Sequence, residues 1–221
     1  MTRHCKAPGC GAPTTRYGHF CNRHKAHVRR HGAADQRAVT MNELRPFIRT
    51  VRARIKRNAG NPLWEQVDAN WLATVDHAKG ILTEYRQGRP GYRYERLAAV
   101  EVVKLADNVT PRELCEVAFA MFLMSHEDPH RFTSDAAFRV QLLRRLRGLT
   151  RMNAEEWRNP VTGRVRRAYR ELPPKAAAVM AAWIVHVFGG VGIILARMEQ
   201  QQREEKQRRA TAMAEAVKEL R

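Results

Sequence analysis

Several signatures of common enzyme classes are missing from this 221-residue sequence. It has no glycine-rich phosphate loop, no nucleophile elbow and no Ser, His and Asp in a known triad order. Beyond residue 32 the histidines are isolated, at His77, His126, His130 and His186. The sequence does not show the parts of the histidine-rich ββα site that an HNH-type nuclease needs, and we interpret residues 126–130 as a loop. We therefore expect a non-enzymatic protein, with an HNH-like endonuclease as an alternative.

Acidic residues are also scarce, because 22 Asp and Glu stand against 40 Lys and Arg and the formal net charge is +18. The excess is uneven. Residues 1–57 hold 14 basic and 2 acidic side chains and residues 139–170 hold 10 and 2, whereas residues 58–138 hold 8 and 12. Two basic blocks favour a polyanionic partner, since Lys and Arg release counterions from phosphates. The expected partner is nucleic acid, with duplex DNA favoured and RNA as a second possibility.

Cysteines are few, and three of the four lie within the first 21 residues. No apolar stretch accompanies them there, so we expect no signal peptide and a cytoplasmic location. Three clustered cysteines with a histidine fit a reducing cytosol and a metal better than a disulfide framework.

The spacing of these residues predicts a structural zinc site. Cys5-x4-Cys10 encloses Pro8-Gly9, which supplies a tight turn, and Cys21-x2-His24 places two ligands on one face of a starting helix. Zn²⁺ takes four such ligands in a tetrahedron. Other histidines lie close enough to compete with His24 for the fourth position: His4, His19, His27 and His31.

Between the two ligand pairs, residues 12–20 predict a small hairpin that turns at or near Tyr17-Gly18. A knuckle, a hairpin and a helix bearing the last two ligands is the treble-clef arrangement. The run Cys-x4-Cys-x10-Cys-x2-His, followed by Arg29 to Gly32, resembles the short zinc fingers at the termini of phage and mobile-element DNA-binding proteins, including homing-type endonucleases. The resemblance covers residues 4–32. It implies DNA association and does not imply nuclease activity.

Two predicted helices carry candidate nucleic-acid contacts. On the helix that starts at Cys21, we expect Val28 to face inward with His24 and His27 to point away with the cations. A second helix, from about Glu43 with an N-cap at Asn42, shows an apolar stripe and a basic stripe roughly 100° apart. The candidate contacts on these two helices are Arg23, Lys25, Arg29, Arg30, Arg45, Arg49, Arg52, Lys56 and Arg57.

Residues 42–172 predict an all-α basic domain that follows the zinc module of residues 1–32 and a linker of residues 33–41. Within it, Thr110-Pro111-Arg112-Glu113 is a capping box, and Cys115 on that helix is interpreted as a core residue. A turn at residues 159–163 between β-prone runs predicts a short β-hairpin near residues 157–169. Its candidate nucleic-acid contacts are Arg164, Arg166 and Arg167.

Residues 173–221 predict an Ala/Gly-rich apolar helix and a charged C-terminal helix. Residues 176–196 carry no formal charge over a length that could cross a bilayer, so a single-pass membrane protein is an alternative. Gly189-Gly190 is expected to interrupt this stretch, which favours a buried helix over a membrane span. The C-terminal helices could also form a homo-oligomer.

The leading hypothesis is a zinc-dependent, non-enzymatic DNA-binding protein, such as a regulator or accessory factor of a phage or mobile element. A second hypothesis is an interaction protein or inhibitor that acts on a nucleoprotein complex or on RNA.

Overall fold

The computed structural model describes residues 3–150 and 153–219, without the side chains of residues 154–157, 166–168 and 219. Its helices are α1 (Asn22–His31), α2 (Met41–Arg57), α3 (Leu63–Arg86), α4 (Arg93–Asn108), α5 (Pro111–Glu127), α6 (Asp135–Arg147) and α7 (Pro174–Glu219), with a short 3-10 helix at Pro129–Arg131. Strands β1 (Ala154–Arg158) and β2 (Val165–Tyr169) form an antiparallel hairpin. The mainly α prediction is confirmed, and so is the hairpin, although β1 begins at Ala154 rather than Trp157.

Reciprocal hydrogen bonds start two of the core helices. At α5, the Glu113 amide donates to Thr110 Oγ1 and the Glu113 carboxylate accepts from the Thr110 amide, which confirms the predicted capping box. The same pair of bonds joins Thr40 and Glu43 at α2. The expected N-cap at Asn42 is therefore wrong, because the Thr40 side chain satisfies the Glu43 amide while the Glu43 carboxylate satisfies the Thr40 amide.

One apolar core contains side chains from each of the six helices α2 through α7. It is centred on α5, whose buried face includes Phe119 and Leu123, and on large buried side chains such as Trp71 and Phe188 from the neighbouring helices. Cys115 lies in this core, and burial raises its pKa to about 12. The interpretation of Cys115 as a small core residue is confirmed.

Helix α7 runs without a break through Gly189-Gly190, so the expected interruption there is wrong. At Gly192 the lack of a side chain permits close packing, because a Cβ there would lie 2.5 Å from the Phe122 ring of α5. Within the described chain, α7 is the one helix long and apolar enough to cross a membrane, and 44% of its apolar window is buried. That burial comes from packing against α3, α4, α5 and α6. The membrane alternative stays a prediction.

The segment between α1 and α2, residues 33–40, has no regular secondary structure but is firmly attached. The buried Gln36 side chain donates to the Arg131 carbonyl at 3.1 Å and accepts from the Thr133 amide at 3.0 Å. The amide of the buried Val39 donates to Gln141 Oε1 at 2.9 Å. We call this segment the strap. Through these hydrogen bonds, the strap fixes the position of the amino-terminal module relative to α2. A flexible linker would not do so.

Buried ion pairs tie distant parts of the chain together. Arg54 of α2 bonds Glu199 of α7, and both side chains are more than nine-tenths buried. Arg147 of α6 is equally buried and donates to Glu101 of α4 at 2.7 Å. These cations serve the fold and are not available to an outside partner.

Candidate metal centre and basic surfaces

Cys5, Cys10, Cys21 and His24 come together at one point of the amino-terminal module. One ligand atom from each lies within 4.8 Å of every other. His24 Nδ1 lies 3.4 Å from the sulfurs of both Cys5 and Cys21. Zn–S bonds of about 2.3 Å and a Zn–N bond of about 2.0 Å at tetrahedral angles give a sulfur–nitrogen separation of about 3.5 Å. The spacing therefore fits a tetrahedral metal site, and three thiols with an imidazole is a donor set that suits Zn²⁺.

Local backbone structure explains why these ligands converge. Gly9 adopts a φ of +70° in the turn that the Cys10 amide closes onto the Ala7 carbonyl at 3.1 Å. Cys21 is the N-cap of α1, and its amide donates to Cys5 Sγ at 3.3 Å. The amino end of a helix stabilises negative charge, so it favours thiolates at this position.

The thiols of the site change one another's pKa values. Desolvation opposes ionisation of Cys5, but hydrogen bonds from the Cys21 and Ala7 amides and from His24 outweigh it and lower the pKa to about 6. The backbone at Ala12 favours ionisation of Cys10, but desolvation and the sulfurs of Cys5 and Cys21 raise its pKa. Several thiolates cannot share so small a space without a cation. A divalent metal held by these four residues would supply the missing positive charge.

The structure places His24 beside the three cysteine sulfurs and gives the other nearby histidines different places. His4 Nδ1 lies 3.0 Å from the Gly11 carbonyl, and His19 is exposed. His27 Nε2 lies 2.9 Å from the carbonyl of Gln36 in the strap. The competition for the fourth position is thus resolved by geometry.

The predicted hairpin at residues 12–20 is wrong in its pairing. The backbone bridge joins His4 to Pro13, and the Cys5 amide donates to the Ala12 carbonyl at 2.9 Å. The expected turn near Tyr17-Gly18 is present, because the Gly18 amide donates to the Thr15 carbonyl. Pairing across the first knuckle, rather than after it, brings Cys5 and Cys10 into place. The treble-clef designation stays an interpretation.

The inner face of α1 docks onto α6. The backbone carbonyl of His31 accepts a hydrogen bond from Gln141 Nε2. The Nδ1 atom of the His31 ring lies 3.3 Å from the same nitrogen. Desolvation, and then the positive charge of His27, Arg144 and Arg30, lowers the pKa of His31 to about 4. The expectation that His27 points away with the cations is wrong, because His27 and His31 are half-buried on the docking side.

The cations of α1 lie on its outer face. Arg23, Lys25, Arg29 and Arg30 are all exposed. None of the four forms an ion pair with any residue that the structure describes; Lys25 Nζ lies 3.4 Å from Thr15 Oγ1. The candidate metal ligands thus lie at the start of a short helix whose exposed side carries positive charge that forms no ion pair within the described residues.

The basic stripe of α2 divides into two classes. Arg45, Arg49 and Lys56 are exposed and have no ion pair in the described part of the chain. Arg52 donates to Glu116 at 2.7 Å, and Arg57 lies 3.9 Å from Glu199. Sequence periodicity alone cannot make this division, because both acidic partners lie more than 60 residues away.

The second basic block contributes less to the surface than its composition indicates. Arg147 is buried, and Arg144 pairs with Glu171 and donates to the Arg30 carbonyl at 3.2 Å. Arg164 is exposed at the hairpin turn. The side chains of Arg166 and Arg167 lie outside the described residues, so their predicted role stays a prediction.

Residues 126–130 do not form the loop that the sequence indicates. His126 and Glu127 complete the last turn of α5, and the short 3-10 helix at Pro129–Arg131 follows. His126 contacts Gln200, and Glu127 pairs with Arg203 at 2.6 Å, so both residues fasten α5 to α7.

No protein-family model matches this chain, and no curated protein or solved structure is significantly similar to it. The candidate metal centre therefore rests on its own geometry and donor chemistry.

Proposed function

We propose that this protein is a zinc-stabilised, non-enzymatic nucleic-acid-binding protein that contacts duplex DNA through α1 and α2. The observation that supports the proposal is the set of exposed cations on α1, which form no ion pair within the described residues, on a helix that begins at the candidate metal ligands Cys21 and His24. Such cations are suited to phosphate contacts, which give affinity and register without sequence information. In the class suggested by the resemblance of residues 4–32, the protein would act as a regulator or accessory factor of a phage or mobile element.

The length of the strap is consistent with one contact surface formed by α1 and α2 together. The strap consists of residues 33–40, and a chain of that length reaches at most about 30 Å when fully extended. That distance is less than one turn of B-DNA, which is about 34 Å. The carboxyl end of α1 and the amino end of α2 therefore lie within the span of one turn of a duplex, as a joint contact surface requires.

A salt titration tests the proposal. Binding of the zinc-loaded chain to a labelled duplex is measured by anisotropy between about 50 and 200 mM salt, where phosphate contacts lose affinity steeply. Arg29→Gln and Arg49→Gln should each reduce the slope of log K against log salt by about 1. Arg52→Gln is the matched control, since Glu116 already engages that guanidinium. Weak binding that does not change with salt would overturn the proposal.

Competition with structured RNA and with single strands decides the class of nucleic acid. Displacement by duplex DNA at the lowest concentration supports the proposal as stated. Preferential displacement by structured RNA would replace DNA with RNA as the partner and leave the roles of α1 and α2 unchanged.

A further inference from the structure

A groove of about 700 Å³ lies where the metal module meets the helical body. Its walls come from α1, from the first two turns of α6 and from the first two turns of α7. The apolar part of the lining consists of Phe20, Val28, Ala136, Val140, Pro174, Ala177, Ala178 and Ala181.

The packing explains why this space stays open. At one edge, Gly32 holds α1 against α6 so closely that a Cβ there would lie 2.5 Å from Ala137 Cα. Away from that contact, α7 lines the groove with Pro174 and with the short side chains of Ala177, Ala178 and Ala181. Alanine methyl groups cannot fill the space between three helices, so a recess remains.

The charged residues around the groove carry a net positive charge. Lys25, Arg29 and Arg139 line it, against the single carboxylate of Asp135. None of these four residues forms an ion pair within the part of the chain that the structure describes. By contrast, Arg52, Arg54, Arg131, Arg144 and Arg147 each pair with a carboxylate.

We propose that this groove binds a small amphiphilic carboxylate, with an apolar body against α7 and an anionic head near Arg29 and Arg139. Its volume lies within the range of about 300–1,000 Å³ that small-molecule sites occupy, and such sites combine an apolar lining with a few charged groups. The α7 wall runs from Pro174 to Ala181, a length of about 10 Å, which suits a medium-chain fatty acid. The unpaired cations select an anion over a neutral or cationic amphiphile.

Calorimetric titration of decanoate into the zinc-loaded chain tests the proposal, with decyltrimethylammonium as the probe of opposite charge. We expect one saturable decanoate site and binding of the cation at least about tenfold weaker, since a hydrogen bond to a charged group is worth about that factor. Arg139→Gln should weaken decanoate by a similar factor. Equal affinity for the two amphiphiles, or no saturable decanoate binding, would overturn the proposal.

Two tryptophan variants locate the site. Ala178 and Ala182 are both exposed on α7 one turn apart, but only Ala178 lines the groove. Ala178→Trp should fill the recess and abolish decanoate binding, whereas Ala182→Trp should bind as the unmodified chain does. The same affinity in both variants would contradict the assignment. These measurements contain no nucleic acid, so their failure and that of the proposed function are distinguishable.

Discussion

The metal module and the helical body reach a defined structure by different physical means. In α1 no residue is fully buried, whereas α5 buries eleven consecutive residues from Leu114 to Met124. The body is held by apolar burial and by a few buried ion pairs. The module depends on four converging ligands and on its docking onto α6. The two regions should therefore respond differently to metal removal, to core substitution and to pH.

Removal of the metal should have the largest effect, and it should be confined to the module. Structural zinc contributes about 10 kcal/mol or more to the folding of small domains. Cys21→Ser should lose the bound zinc and the amide protection of α1 while α5 stays protected, as zinc analysis and hydrogen exchange would show. Cys115→Ala is the control and should retain one equivalent of zinc. Unchanged zinc content in Cys21→Ser would refute the site.

Loss of a buried carboxylate should weaken the body and spare the metal. Glu199→Gln leaves the Arg54 guanidinium buried without its counter-ion, a change that costs about 3–5 kcal/mol. Urea unfolding should show this loss, with zinc stoichiometry unchanged. The same substitution at the exposed Glu205 should have little effect. Equal stability of the two variants would mean that Arg54 reaches solvent.

The contact between the two regions can be broken at Gly32. Its φ of +93° disfavours any residue with a Cβ by about 1–2 kcal/mol, and the new Cβ would also collide with Ala137. Gly32→Ala should destabilise the docking of α1 by about 2–4 kcal/mol, measured by hydrogen exchange of α1 amides. Gly60→Ala, which meets no atom within 4 Å, should be nearly neutral. Unaltered α1 exchange would show that the contact is dispensable.

Replacing each of two glycines of α7 with alanine should change the stability of the body in opposite directions. Gly192→Ala forces the Phe122 ring to move and should destabilise the body by about 1–3 kcal/mol. Gly190 has open space around its Cβ position, so Gly190→Ala should stabilise the helix by up to about 1 kcal/mol. Thermal unfolding of both variants measures the difference. A shift of the same sign in both would contradict the packing of α7 on α5.

The smallest effect concerns the pH response of the docked histidine. His31 should titrate with a pKa of about 4, because desolvation and nearby cations disfavour its charged form. Its contribution to docking is fully present above its ordinary pKa of about 6.5 and is lost as the pH falls through 4. NMR titration of the imidazole measures this directly. A pKa near 6.5 would show that α1 is not docked through this ring.

Much of the local structure is predictable because its determinants lie within one or two turns of chain. The capping box at Thr110 and Glu113 and the ligand pairs are of this kind. The burial of Arg54 is not predictable in this way, since Glu199 lies 145 positions away. Likewise, the inward turn of His27 and His31 depends on Gln36 and on α6, which no periodicity within α1 reveals.

By itself, the sequence determined the donor atoms of the candidate metal site, the capping box of α5 and the excess of positive charge, since these follow from residue types and short spacings. The tertiary structure decided which cations are compensated and which are exposed, and it opened the groove between the module and the body. The reason is that ion pairing, desolvation and docking depend on neighbours that folding brings together from distant parts of the chain.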